Sequence, residues 1–203
     1  MAEVADVRPP EFFLGEWSRT LDERYRFSLP PEWAAALARD RAGTTASLPA
    51  EISPDDSLPS VRESPGVGES SGPAPRGEGK CMLAKERPGC VSLWNRGVWA
   101  SWLSSGVEVI ASKVRSGRLD RRMDHVQLLG RLLSTRHREA NIAGRGRIGL
   151  PESFRSFLGV EPGGEVLVVG AGVCVEVWSA AAWNAHIGEQ MPSFRQLLEQ
   201  LAE

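Results

Sequence analysis

Cysteine, histidine and tyrosine are scarce in this 203-residue chain, and it has no long apolar run. The three cysteines, Cys81, Cys90 and Cys174, are an odd count with no CxxC spacing, which disfavours both a disulfide framework and a zinc site. His125, His137 and His186 lie far apart, with no HExxH or paired spacing for a metal. The longest apolar stretch, Val166–Val175, spans ten residues and includes two glycines, against the ~20 a membrane-spanning helix needs. The opening MAEVADVRPP carries neither a basic region nor an apolar core, so no secretory signal is expected. The hydrophobic fraction of 41% and charged fraction of 25% are those of an ordinary globular chain. A cytosolic protein is therefore expected, with no membrane partner.

Catalytic patterns are equally thin. Gly144-Arg145-Gly146-Arg147-Ile148-Gly149 matches GxGxxG. A dinucleotide site needs that pattern between a strand and a helix, and here its last glycine falls inside a short strand that ends at Pro151. Cys90 and Cys174 occupy matching strand positions and read as small buried apolar residues, since neither half offers a base to activate a thiol. No nucleophile–base–orienter set assembles. The chain reads as a non-enzyme, with no cofactor and no small-molecule substrate.

What is present is an uneven charge and a duplicated plan. The net charge of −2 hides a basic block. Residues 113–147 hold ten basic and three acidic side chains, whereas residues 148–203 hold seven Glu against Arg155 and Arg195. Screening separates such blocks beyond roughly 8–10 Å, so the basic one attracts phosphate at long range. A solvated helix face explains such a run equally simply. Residues 44–79 differ again: half of these 36 residues are Pro, Gly or Ser and none is aromatic. That segment cannot bury enough apolar surface to order itself, so it reads as a disordered insertion.

Outside the insertion, the stretch from Leu21 to Trp33 lies over Ile142 to Phe154 at a constant offset of 121 residues, pairing Arg24 with Arg145, Arg26 with Arg147 and Pro30 with Pro151. A second offset, 84 residues, pairs Cys90, Trp94 and Trp99 with Cys174, Trp178 and Trp183. The two offsets differ by 37, close to the length of the insertion. Each half therefore has one plan: strand, short turn, strand, helix, then a hairpin. Phe27-Ser28-Leu29 and Ile148-Gly149-Leu150 alternate as half-buried strands. Trp33/Leu37 and Phe154/Leu158 then repeat at helical i, i+4 spacing, with Gly159 as the stop of the second helix. Val166–Val169 and Val173–Trp178 form a hairpin across Gly170-Ala171-Gly172, and Ser179 caps a further helix. Leu119–Leu133 has helical spacing despite Gly130, and Ser193–Ala202 forms a C-terminal helix. A unit of this size rarely closes a core alone, so the two are expected to pair as a pseudo-twofold barrel.

Both turns carry Arg-x-Arg, Arg24/Arg26 and Arg145/Arg147. Residues i and i+2 of an extended chain share a side, so each turn projects two guanidinium groups together. Arginine bonds phosphate or the guanine O6/N7 edge in bidentate fashion. A salt bridge between Asp22 and Arg26 is the simpler structural use of the first turn, and Ala143 removes that option from the second.

These residues resemble the MraZ family of bacterial transcriptional regulators, built from two SpoVT-AbrB-type units. The likeness is carried by Gly15, Asp22-x-x-x-Arg26, Leu29-Pro30, Gly146-Arg147-Ile148-x-Leu150-Pro151, Val175-Glu176-Val177-Trp178 and Trp183. It implies an α+β fold: a double swapped-hairpin AbrB-like β-barrel from two ββαββ units, with flanking helices. The units are expected at 12–104 (with the insertion 44–79) and 136–183, joined by a helical segment 105–135 and followed by a C-terminal helix 184–203. The resemblance further implies a ring-shaped homo-oligomer that binds double-stranded DNA at promoter direct repeats of the division and cell-wall gene cluster, in the cytoplasm at the nucleoid. The DNA-binding residues would be Arg26, Arg24, Arg147, Arg145 and Arg19, with Asp22 and Gly146 shaping the turns. Three positions depart from the family pattern: Ala143 replaces the second acid, Tyr25 a turn glycine, and Leu14 a basic residue. A scaffold of the same fold that has lost specific DNA binding is the alternative; an AbrB-type antitoxin is disfavoured, since those usually carry a single unit.

Overall fold

The computed structural model describes residues 12–39 and 78–202. The N-terminal tail and most of the expected insertion lie outside the described residues. Its last residue, Gly79, is reassigned: it opens a strand, because its backbone packs against the end of a helix where an added Cβ would come within 2.7 Å of Ala38 Cβ.

The first half contains β1 (Glu16–Thr20), β2 (Arg26–Ser28), α1 (Pro31–Ala38), β3 (Gly79–Arg87), β4 (Cys90–Asn95) and α2 (Arg96–Arg115). After a 3-10 turn and α3 (Met123–Arg136), the second half follows with β5 (His137–Ala143), β6 (Arg147–Gly149), α4 (Glu152–Leu158), β7 (Glu165–Gly170), β8 (Val175–Ser179) and α5 (Ala180–Gln190). A last helix, α6 (Phe194–Ala202), ends the described chain.

All strands join one antiparallel sheet in the order β1-β7-β8-β4-β3-β5-β6-β2, which curls into a nearly closed barrel. The pairing exchanges strands between halves. β1 runs against β7 of the other half, β5 against β3, and β2 against β6, while β4 meets β8 at the centre. The interior is filled by Leu21, Phe27, Leu83, Leu93, Ile148, Val166, Val168, Val175 and Val177, all buried. α1 and α4 add Trp33, Leu37, Phe154 and Leu158 to the same core. Neither half could assemble this interior alone, which is the physical reason for the exchange.

The two ends of the sheet, β1 and β2, share no ladder. A strand–turn–strand pairing was expected in both halves and is found only in the second, where Ile142 pairs with Ile148 and Ala143 with Arg147. In the first half Leu21, the counterpart of Ile142, gives its N–H to Gly164 O (3.0 Å) and accepts from Gly163 N (2.8 Å). Its backbone groups are thereby taken, and a backbone group already satisfied has no reason to join a second ladder. Arg19 spans the resulting seam: its Nε donates to Ser28 O at 3.0 Å and its Nη1 to Ser18 O at 2.8 Å.

Matching helix starts follow β4 and β8. Asn95 Oδ1 accepts from the Gly97 and Val98 amides, and Ser179 Oγ from Ala182. Asn95 Nδ2 also donates to Arg39 O (2.8 Å), so one buried amide caps α2 and secures the end of α1. The aromatic pairs packed outside the barrel have nearly the same geometry in the two halves. Trp94 and Trp99 lie 5.6 Å apart at 57°, Trp178 and Trp183 5.4 Å apart at 55°. Trp102 and His186, also 84 residues apart, stack near-parallel on Trp94 and Trp178 at 18° and 14°.

The linking helix differs from expectation. Leu119 precedes a 3-10 turn, Asp120–Arg122, and the α-helix begins only at Met123. α2 runs across position 104, the expected end of the first unit. Gly106 and Gly130 sit inside these helices, and a Cβ at either would meet nothing within 4 Å. Gly130→Ala and Gly106→Ala are each expected to raise stability by up to ~1 kcal/mol through helix propensity, read as a higher midpoint in chemical denaturation.

Candidate nucleic-acid interface

β2 and β6 pair in the register Arg26↔Gly149, Phe27↔Ile148, Ser28↔Arg147. Phe27 and Ile148 are buried in the core. Side chains alternate along a strand, so Arg26, Ser28, Arg147 and Gly149 all face outward. The two arginines are diagonal neighbours, which places their Cα atoms roughly 7–8 Å apart. The small Ser28 and Gly149 between them leave Arg147 exposed and Arg26 partly exposed. Residues 121 apart in sequence thus meet on one face, each at the start of its short strand.

The turns that deliver them are held by equivalent bonds. Leu29 N donates to Gly146 O at 3.0 Å, and Leu150 N to Tyr25 O at 2.9 Å. Tyr25 and Gly146 both adopt left-handed backbone, with φ of 55° and 69°. Gly146 fits because an added Cβ would lie 3.0 Å from Ala34 Cβ and from Leu29 O. Tyr25, the counterpart of Gly146 at the 121-residue offset, is secured by its side chain. Its hydroxyl donates to Glu161 Oε2 at 2.7 Å, and the Arg155 guanidinium lies 4.4 Å over its ring. The Glu161 hydrogen bond raises the phenol pKa above its ordinary 10.0.

The arginines themselves are held differently. In the first turn Asp22 Oδ1 accepts from the Arg24 and Arg26 amides, both at 2.9 Å. Asp22 Oδ2 accepts from Arg26 Nε and Nη2, both at 2.7 Å. The salt bridge expected as the simpler use of this pair is therefore present, and among the described residues Nη1 of Arg26 makes no hydrogen bond. These bonds to Arg26 hold the Asp22 carboxyl at about 2, below its ordinary 3.8. In the second turn Arg147 makes one long bond, Nε to Gly144 O at 3.4 Å. Arg24 and Arg145 are exposed, and among the described residues their guanidinium groups make no hydrogen bond or ion pair. Arg145 has left-handed backbone as well, with φ 64°. Glu78 brings a carboxylate to the Gly144 backbone, but it forms no ion pair with either arginine of this turn.

Of the residues singled out from sequence, Arg24, Arg26, Arg145 and Arg147 thus lie at the two turns, with Asp22 and Gly146 supporting them. Arg19 is bonded into the seam instead, its Nε on the carbonyl of Ser28, which pairs with Arg147. The β2–β6 register itself could not be read from sequence, because it joins strands from different halves. The Tyr25–Glu161–Arg155 clamp was missed for the same reason. Elsewhere, burial pushes the Cys81 and Cys174 thiols up to about 12 and raises Cys90 too. Among the described residues no group of three or more His, Cys, Asp or Glu could hold a metal, and no helix is long and apolar enough to cross a membrane.

A family model described as "MraZ protein, putative antitoxin-like" matches residues 134–202. The protein named transcriptional regulator MraZ from Kocuria rhizophila is 39% identical over 57 residues, 28% of this chain and 38% of that protein. Its namesake from Arthrobacter sp. (strain FB24) is 38% identical over 52 residues, 26% of this chain and 35% of that one. These alignments span less than two fifths of the relatives' length. A third MraZ, from Syntrophomonas wolfei, aligns over 191 residues, 94% of this chain and 97% of its own, at 22% identity.

Gly146→Ala is expected to destabilise the chain by about 1–2 kcal/mol from left-handed strain alone, measured by denaturant unfolding. The Asp22 pKa is depressed by folding, so its contribution is complete above about pH 4 and lost as pH falls through about 2. A carboxyl NMR titration should find Asp22 titrating at about 2, below its ordinary 3.8.

Proposed function

We propose, from the likeness of this chain to the MraZ proteins, that it belongs to that family and is a DNA-binding transcriptional regulator that grips the duplex through its two arginine turns. The observation that carries this reading is the β2–β6 register, which gathers Arg26 and Arg147 on one outward face. Arg26 and Arg147 contact base edges, and Arg24 and Arg145, at the tips of the turns, contact base edges or phosphates. Arg19, committed to the seam, is the weakest of the five as a DNA contact. The basic helices α2 and α3 add long-range attraction.

The finer reading follows the same line. The chain is a tandem of two SpoVT-AbrB units, acts in the cytoplasm at the nucleoid, and binds repeated promoter elements of the division and cell-wall gene cluster as a homo-oligomer. Self-association is supported by α6, whose Phe194, Leu197, Leu198 and Leu201 are all exposed at helical spacing. A single turn offers little contact area, and copies presented together on repeated half-sites gain affinity through effective concentration.

A gel shift against the DNA upstream of the chain's own gene, at two salt concentrations, tests this. Binding should be sequence-selective and weaken with salt. Arg26→Ala should cost roughly 1–3 kcal/mol on the selected site and relax sequence preference. A folded protein that shifts no DNA even at low salt would replace this reading with the scaffold one.

A further inference from the structure

The two halves share backbone bonds but not the hold on their arginines, and the difference falls on the proposed DNA face. Arg26 is fixed at Nε and Nη2 by Asp22, inside a turn whose Tyr25 is clamped by Glu161 and Arg155. Arg147 has Ala143 where an acid would hold it, and only the 3.4 Å bond to Gly144 O restrains it. Arg145 beside it is exposed, with no partner among the described residues.

We propose that the barrel lies on its site with one fixed polarity: the first turn, with Asp22 as positioning residue, reads bases through Arg26, while the second turn grips the sugar-phosphate backbone through Arg145 and Arg147. The proposal rests on the DNA-binding reading above and moves Arg147 from the base-edge role given there to a phosphate contact.

The chemistry follows from order. Reading a base edge needs a guanidinium plane held in a set direction, because two parallel bonds must form at once. A side chain already fixed by a carboxylate has less freedom to lose on binding. Asp22 takes the Nε–Nη2 edge of the Arg26 plane, and Nη1 with the remaining Nη2 hydrogen is left to form two bonds to a base edge. Phosphate contact asks for charge and reach rather than direction, which suits the loosely held Arg145 and Arg147. A barrel with two identical turns would fit a site equally well in either orientation. Unequal turns remove that degeneracy, so the preferred site lacks dyad symmetry.

The test uses the full chain. Random-site selection first yields a preferred duplex, and affinities are then measured for it and for a scrambled duplex across a salt series. Arg26→Ala should lower the ratio of the two affinities by about tenfold or more with little change in salt slope. Arg147→Ala should weaken both duplexes alike and reduce the salt slope by about 1. Ala143→Asp, at an exposed position, should make the ratio sensitive to Arg147→Ala. Combining Asp22→Ala with Ala143→Asp should reverse the orientation of a hydroxyl-radical footprint. Equal losses of the ratio from Arg26→Ala and Arg147→Ala would overturn the proposal while leaving DNA binding intact. So would an Ala143→Asp protein that behaves as the parent does. If the parent chain selects no sequence and shows no salt-dependent binding, the DNA-binding reading falls, and this one with it.

Discussion

The short ladder between β2 and β6 is the constraint on which both the core and the candidate site depend. Its middle pair, Phe27 against Ile148, faces the interior, and that forces the flanking pairs outward. A shift of one residue would turn the arginines into the core and the two apolar side chains into water. Burying a guanidinium without partners costs far more than exposing an isoleucine. The pressure that fills the barrel therefore also fixes the arginine face, so a change that loosened the core would misplace the site. The flanking bonds, Leu29 N to Gly146 O and Leu150 N to Tyr25 O, secure this register from both sides.

Strand exchange makes this ladder available. β1 and β2 find their partners in the second half, β5 and β6 find theirs in the first, and the β4–β8 pair joins the halves at the centre. Each turn consequently rests on a helix of the opposite unit. Gly146 approaches Ala34 of α1, and Tyr25 lies under Arg155 of α4. The position of each pair of arginines is thus set by the half that does not encode it.

Much of this was legible in the chain. The offsets of 121 and 84 residues announced two units, and their apolar spacing gave α1, α4, the β7–β8 hairpin and the Ser179 cap. The Arg-x-Arg turns were visible because neither the arginines nor Asp22 need a tertiary partner to be recognised. What could not be read was anything set by contact between halves. Leu21 looks like Ile142 in sequence, but the Gly163–Gly164 turn captures its backbone and denies β1 a ladder with β2. Arg19 resembles a free surface arginine until the seam it bridges is known. Trp102 and His186 are chemically unlike, so their equivalence shows only in their matching stacks on Trp94 and Trp178.

The same backbone demand is met by different chemistry in the two turns, and this explains how the second could lose its acid. Both turns place a left-handed residue directly before the arginine strand, and the second has a further one at Arg145. Gly146 meets that requirement without steric cost and exploits it for close approach to α1. Tyr25 carries a cost of about 1–2 kcal/mol, offset by its bonds to Glu161 and Arg155. The second turn is also held by two ladder positions between β5 and β6, where the first has the backbone bonds from Asp22 N to Arg26 O and from Tyr25 N to Asp22 O. Asp22 supplies, through its side chain, restraint that β5 supplies through its backbone. The fold therefore tolerates Ala143 without strain. Ala143 supplies neither the carboxylate oxygen that accepts from the turn amides in the first half nor the one that holds its arginine, and under the proposed reading the second loss falls on recognition.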